Sequence, residues 1–516
     1  MPSTPSTAQK ALAISLGLFL LAMLVRGGNT PNVVAVSAVL GVAVFLVAGL
    51  AVWARVKLTV TYAFASFACS LLLILAMGLL GLASVDAEAW LRLPGHEIYK
   101  TALAVLKQQD IDASSIAISL DPASTVRALL ATVTACAVAL AAYLLPRELA
   151  LNVLGGLLVL TLFQAVLGIA QFALGSPEFL VQDAASANRA VGTFVNKNHF
   201  ATLMAMSLPL MLMRASGQVV FFRSTSQPTS LSNVWWGFAT VVTAVALMAS
   251  LSRAGSTAGF AVAVVTIALC VWKTPSQTRR LAFLAIAVLT LAMASVSSLD
   301  RLLASMTGSA LADSAAGRQW LNDNTFAAAR QFWPLGAGLG AYSIAFQRFQ
   351  TSDFVGFVEH GHNDYAQIVF ELGAVGVVAL IGLALAAVLA GASLARARTL
   401  SPAVGCYLGA FAFAIHAWFD FPAHIPGVAI AVCMLFAFSM NPALANVAAQ
   451  QRQSRKTDAE SPSSVRRKRR SRALADRPDS ELGTVAPVNR PDMEPVPASA
   501  ANPWIVARSG GTRDRP

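Results

Sequence analysis

Charge is scarce in this chain. Lys, Arg, Asp and Glu make up 12% of its 516 residues, about half their share in an average soluble globular sequence. A water-soluble globular fold is thereby excluded, and lipid is the solvent for most of the molecule. Cysteine is sparse too. Cys69, Cys136, Cys270, Cys406 and Cys433 all fall inside apolar runs and show no paired spacing, which excludes a disulfide framework and a cysteine-built metal site. They read as small apolar packing residues. Nucleotide-binding glycine loops are missing as well, since Gly336-Ala337-Gly338-Leu339-Gly340 fits neither fingerprint and gives no sign of direct ATP use.

Hydrophobic residues, by contrast, make up 56% of the chain, and the mean hydropathy is +0.64. Apolar stretches recur at roughly 11–25, 33–54, 58–84, 123–145, 151–174, 199–213, 234–251, 254–272, 281–298, 364–394, 402–419 and 426–445. Each must be helical to satisfy its backbone in hydrocarbon. The pattern predicts an all-α membrane protein of about twelve transmembrane helices, with a large loop at about 299–363 between the ninth and tenth. Ser252-Arg253 separates the seventh and eighth spans. The first stretch is short and preceded by Lys10, but Arg26-Gly27-Gly28 after it is no small-residue cleavage site, so it reads as a retained span.

Loop charge sets the orientation. With the N-terminus in the cytoplasm, Arg55, Lys57, Arg147, Arg214, Arg223, Lys273, Arg279, Arg280, Arg396 and Arg398 all fall inside, as the positive-inside rule asks. The short outer loops then hold only Arg26, Arg189, Lys197 and Arg253. Both long loops, 85–122 and 299–363, go outside, with 175–198 and the turn at Asp420. Residues 1–445 form the membrane domain. From 446 to 516 the composition turns polar and basic, with Arg466-Arg467-Lys468-Arg469-Arg470, and predicts a disordered cytoplasmic tail that fixes topology or rests on anionic headgroups. No folded reader surrounds that basic run, so nucleic acid is not an expected partner.

Four groups of residues on the outer face are able to do chemistry. Arg253, in Ser252-Arg253-Ala254-Gly255, is either a topological anchor that snorkels to the interface or a permanently charged fork for phosphate oxygens. Arg318, in Gly317-Arg318-Gln319-Trp320, precedes the turn Pro334-Leu335-Gly336-Ala337-Gly338; its plain reading is a solvated loop arginine like Arg330 and Arg348. His362 is a packed ring, a general base whose ordinary pKa near 6.5 suits proton abstraction, or a metal ligand with His360, a carboxylate and His416 or His424. Asp420 sits at the mouth between the last two spans, as a solvated helix-end carboxylate or as the group that orients His362. Asn198, in Asn196-Lys197-Asn198-His199, is a weaker candidate for the same cavity.

His362-Asn363, nine residues, then Gly373-Ala374-Val375-Gly376 resembles the signature of the O-antigen ligase and polymerase family of bacterial membrane glycosyltransferases. Arg253, Arg318 and the loop turn fit the same resemblance, which covers about 190–430. It implies transfer of a glycan from undecaprenyl diphosphate, without cofactor or metal, on the periplasmic face of the inner membrane. Arg253 and Arg318 would hold the donor diphosphate, His362 would deprotonate the acceptor hydroxyl with inversion at the anomeric carbon, and Asp420, Asn363 and Asn198 would support it. The acceptor is lipid A core, growing polysaccharide or protein. A transporter or flippase of lipid-linked glycan is the alternative from another class, but the charges gather at one membrane face and no half of the chain repeats. Reporter fusions after residues 110, 190 and 340 are expected to read periplasmic, and those after 148, 276 and 450 cytoplasmic. A cytoplasmic reading at 340 would remove the site from the periplasm.

Overall fold

The computed structural model describes residues 5–53, 60–111, 114–175, 188–219, 221, 230–274, a few positions between 277 and 288, 309–350, 356–397 and 400–445. The ninth expected span, 281–298, lies largely outside the described residues, and the tail 446–516 wholly so. The other eleven spans coincide with helices. In chain order the helices are α1 Thr7–Ala22, α2 Pro31–Trp53, α3 Tyr62–Gly81, α4 Ala87–Leu91, α5 Lys100–Gln108, α6 Pro122–Leu144, α7 Arg147–Leu174, α8 Lys197–Ala215, α9 Ser230–Ala249, α10 Arg253–Lys273, α11 Ser309–Gln331, α12 Tyr342–Ala345, α13 Asp364–Arg396, α14 Pro402–Ala417 and α15 Pro426–Met440.

The chain is a mostly helical membrane protein. Among the described residues, seven helices are long and apolar enough to cross a membrane, and α1, α14 and α15 are apolar but shorter. Their outer faces carry Val36, Val39, Leu46, Trp272, Ile381 and Val388, all well exposed, an apolar surface that suits lipid and would aggregate in water. The α8 helix is different: it carries Asn198, His199 and Arg214, and every residue from Asn198 to Ala215 is buried. It packs against α9, α10 and α14, so its polar residues meet protein instead of lipid. Small residues let helices approach closely: a Cβ on Gly382 of α13 would fall 2.3 Å from Ser70 Oγ of α3, and Ser66 Oγ donates to Gly382 O at 2.7 Å.

The two long loops join into one cap. Residues Ser84–Asp86 and Ser115–Ala117 pair as antiparallel strands, a detail that composition did not suggest. Leu120 N then donates to Ala337 O at 3.0 Å, and Thr125 Oγ1 donates to Leu339 O at 2.7 Å. Inside the cap, Leu321, Phe332, Tyr342, Phe346 and Phe370 form a hydrophobic cluster of their own. The Arg318 helix, α11, runs for 23 residues.

The cap docks on a break in α13. Gly373 has φ 54 and ψ −131, a left-handed conformation that side chains resist, and the helix divides there. Carbonyls released at the break accept from the cap, Phe370 O from Ala337 N at 3.0 Å and Glu371 O from Gly338 N at 2.9 Å, while Ala374 N donates to Pro334 O at 2.9 Å. A Cβ at Gly373 would stand 2.2 Å from Pro334 O. Gly373→Ala is therefore expected to lower the thermal midpoint of the detergent-solubilised protein clearly, since such backbone strain alone costs on the order of 1–3 kcal/mol. Gly156→Ala in α7, where a Cβ meets nothing within 4 Å, is expected to be neutral or stabilising by up to ~1 kcal/mol. An unchanged midpoint for Gly373→Ala would show that the break is not required.

Candidate active site

His362 stands where the cap returns to the membrane domain. Its backbone has φ 47, unusual for a residue with a side chain, and its neighbour Asn363 caps α13 by accepting from Tyr365 N at 3.0 Å and Ala366 N at 3.2 Å. Asn363 is buried and thus holds the helix end that carries His362. The His362 side chain is 37% exposed, whereas the Asp420 side chain beside it is only 1% exposed. Nδ1 lies 3.3 Å from Asp420 Oδ1, an ion-pair distance that is out of line for a hydrogen bond. One nitrogen thus faces a buried carboxylate, and the ring keeps access to a substrate.

Asp420 is anchored from three elements. Asn198 Nδ2 of α8 donates to Oδ2, Phe421 N donates to Oδ1 at 2.9 Å, and Asp364 N donates to the Asp420 carbonyl at 3.2 Å. Burial alone would push the carboxyl up; the adjacent His362, with His199 and His416 further off, overcomes it and holds the group below the usual carboxylate range. Phe421 is the packing centre of the site. The His360 ring stacks on it at 4.1 Å, and His199 and His362 meet it edge-on at 4.9 Å. Burial and the nearby histidines keep His360 well below the ordinary imidazole range.

The cations gather on the same side. Arg253 is the first residue of α10, behind the N-cap Ser252, whose side chain accepts from Gly255 N at 3.3 Å. Lys197 Nζ donates to Leu251 O at 3.0 Å and so ties the start of α8 to that turn. Lys197 feels the charges of Arg189, Arg253, Arg318 and Asp420; Arg253 feels Arg318; and Arg318 reaches His416. The structure therefore brings together all six residues singled out in the sequence: His362, Asn363, Asp420, Asn198, Arg253 and Arg318. Arg348 acts on Tyr99 of the first long loop instead.

Sequence reasoning passed over Lys197, Arg189, His199, Gln367, Glu371 and Phe421, and saw His416 and His424 only as possible metal ligands. A signal existed for two of them: Asp364, Gln367 and Glu371 recur at helical spacing along an apolar span. His416 Nδ1 contacts Thr202 Oγ1 at 2.8 Å, and the rings of His360 and His362 each pack on Phe421. Among the described residues, no group of three or more His, Cys, Asp or Glu side chains is placed to hold a metal ion. An open apolar groove of about 410 Å³ lies alongside, lined by Tyr365, Phe411, Ala414, Ile415, Trp418 and Phe419. It starts next to the residues that carry His362 and Asp420.

Since the folded Asp420 carboxyl titrates below its ordinary value, its stabilisation is complete above the unfolded pKa of about 3.9 and is lost as the pH falls toward the folded one. Thermal unfolding from about pH 7 down to about pH 3 is expected to show the native protein more stable than Asp420→Asn near neutrality, with the gap closing in the acid range. A gap that does not change with pH would contradict this.

Residues 238–381 match the family model for O-antigen ligase, the family that the motif residues resemble. The matched stretch holds Arg253, Arg318, His362 and Asn363 and leaves out Asn198 and Asp420. No curated protein matches the chain.

Proposed function

We propose, from this O-antigen ligase match, that the chain transfers a glycan from undecaprenyl diphosphate to an acceptor hydroxyl at the periplasmic face of the inner membrane. The observation that carries the reading is the exposed His362 ring, backed by the buried Asp420 at 3.3 Å and set beside the group of Arg189, Lys197, Arg253 and Arg318. With Nδ1 turned to Asp420, the other ring nitrogen accepts the proton of the acceptor hydroxyl. The oxygen so released attacks the anomeric carbon, and the bond from that carbon to the donor phosphate breaks with its electron pair going to the diphosphate. Arg253 and Arg318 hold the diphosphate and stabilise its gathering charge. Asp420 stabilises the imidazolium, much as a buried carboxylate does in hydrolase triads. Asn198 and Asn363 hold Asp420 and the helix end in place.

The apolar groove beside Tyr365 and Trp418 suits the hydrocarbon chain of a lipid-linked donor, which would enter sideways from the bilayer. The orientation is supported by the Lys/Arg asymmetry of the loops; about twelve spans and cytoplasmic termini follow from the same reading. Lipid A core, a growing polysaccharide and a protein all offer the hydroxyl that the mechanism needs.

Arg253→Lys and Arg318→Lys keep the charge but lose the two-pronged fork, so transfer from a purified lipid-linked glycan is expected to fall on the order of 100- to 1,000-fold, with membrane insertion unchanged. Arg330→Lys and Arg348→Lys are expected to be tolerated. His362→Ala should still bind the donor yet fail to transfer, and chelators should leave the native protein active. Turnover retained in His362→Ala would remove the general base, and loss of activity to a chelator with recovery on zinc would hand the site to a metal built on His360 and His362.

A further inference from the structure

Beneath His362 lies a second polar cluster that the transfer chemistry does not use. Asp364 and Glu371 sit one above the other on the short helical segment before Gly373, with side chains only 3% and 1% exposed. Between them stands His424, 19% exposed, in the turn Pro422–His424. Its Nδ1 is 2.8 Å from Asp364 Oδ1 and its Nε2 is 3.9 Å from Glu371 Oε1. Asp364 Oδ2 also accepts from Ala423 N at 2.8 Å, and Asp364 N donates to Asp420 O at 3.2 Å. Asp364 therefore holds both ends of the turn from Asp420 to His424. Glu371 also accepts from Gly340 N of the cap at 2.7 Å through Oε2 and from Gln367 Nε2 at 2.9 Å through Oε1.

We infer that His424 is a positioning residue: as an imidazolium bridging Asp364 and Glu371, it latches the Asp420 turn onto the helix that carries His362 and so sets the distance between base and carboxylate. The protonation state follows from the geometry. The Asp364 contact at 2.8 Å is a hydrogen bond and the Glu371 contact at 3.9 Å an ion-pair approach; an imidazolium is attracted to both, whereas a neutral ring has one N–H and would turn a lone pair toward one of the two carboxylates. Two buried carboxylates also need a cation nearby, because an uncompensated buried charge is strongly destabilising. Burial opposes the charge on His424, but Asp364 and Glu371 overcome that effect and hold its pKa above the ordinary value. The other titratable groups facing the ring are His360, whose ring centre is 5.1 Å away, and His199 of α8.

The sign of the pH effect is fixed by the raised value. The latch opens as the pH rises through the folded pKa of His424, which lies above the ordinary imidazole value. A general base works in the opposite direction, losing activity in acid. The native enzyme is thus expected to show a bell-shaped pH profile whose alkaline limb belongs to His424.

His424→Gln keeps one N–H donor and removes the titration. Its kcat is expected to fall on the order of 10- to 100-fold, as for a misplaced catalytic group, with KM for the lipid-linked donor nearly unchanged and the alkaline limb gone. Glu371→Gln keeps an oxygen for Gly340 N but removes one charge, so the alkaline limb should move to lower pH. An alkaline limb that stays in place in both variants would overturn the proposal, because a merely structural role lowers protein yield without moving the limb. These kinetic readings rest on the transferase function proposed above. Thermal unfolding does not: the native protein should exceed His424→Gln in midpoint at neutral pH, the gap narrowing as the pH rises. A gap that is constant across that range would sink the latch even if the protein transfers no glycan.

Discussion

A carboxylate taken out of water costs several kcal/mol unless its oxygens find partners, and Asp420 is almost wholly buried. The partners come from elements far apart in sequence. Asn198 belongs to α8, Phe421 N to the turn itself, and His362 to the return of the cap. Satisfying this one group therefore requires that the buried helix α8, the turn between α14 and α15 and the cap converge on one point. Phe421, held in the next position, then becomes the surface on which His199, His360 and His362 pack. The geometry around the candidate base is in this sense a consequence of the burial of its neighbour.

The second constraint is the break at Gly373. In an uninterrupted helix the carbonyls of Phe370 and Glu371 would be taken up by the following turn, and the cap would have no backbone to dock against. Breaking the helix produces two helix ends with free backbone groups. One strand of the cap, Pro334 to Gly338, satisfies both ends at once, donating to Phe370 O and Glu371 O and accepting from Ala374 N. The nine residues between Asn363 and Gly373 are then explained by length: they form about two and a half helical turns, enough to place His362 at one end, the docking site at the other, and Asp364, Gln367 and Glu371 along the inner face. The spacing that looked like a signature in the sequence is a measured strut.

How much of this could be read from residues alone depended on the range of the interaction. Apolar runs locate α1 to α3, α6 to α10 and α13 to α15 because each helix satisfies its own backbone, a local requirement. The exception is instructive: the 199–213 run reads as a lipid-facing span, yet α8 is enclosed, since apolarity does not distinguish lipid from protein as a neighbour. The six candidate residues were legible through motif and charge at the membrane boundary. His199 and Lys197 were not, because their partners, Phe421 and Leu251, lie tens to hundreds of residues away. The hairpin at Ser84–Asp86 and Ser115–Ala117 escaped for a different reason: three-residue strands have too little pattern to register.

Electrostatics gives the site its direction. Four cations, Arg189, Lys197, Arg253 and Arg318, act on one another, and Asp420 is the acidic group that couples to Lys197 among them. Like charges held together in a partly desolvated place repel, and the fold must hold them there by other means. Around the site, Asn188 beside Arg189, Leu251 two residues before Arg253, and His362 itself all adopt positive φ, a conformation that costs free energy when a side chain is present. Repulsion of this kind is relieved by an anion carrying more than one negative charge, and most of all when further charge develops on it. The diphosphate leaving group proposed above would meet that description, and with the cations already in place little reorganisation would be left for the moment of reaction.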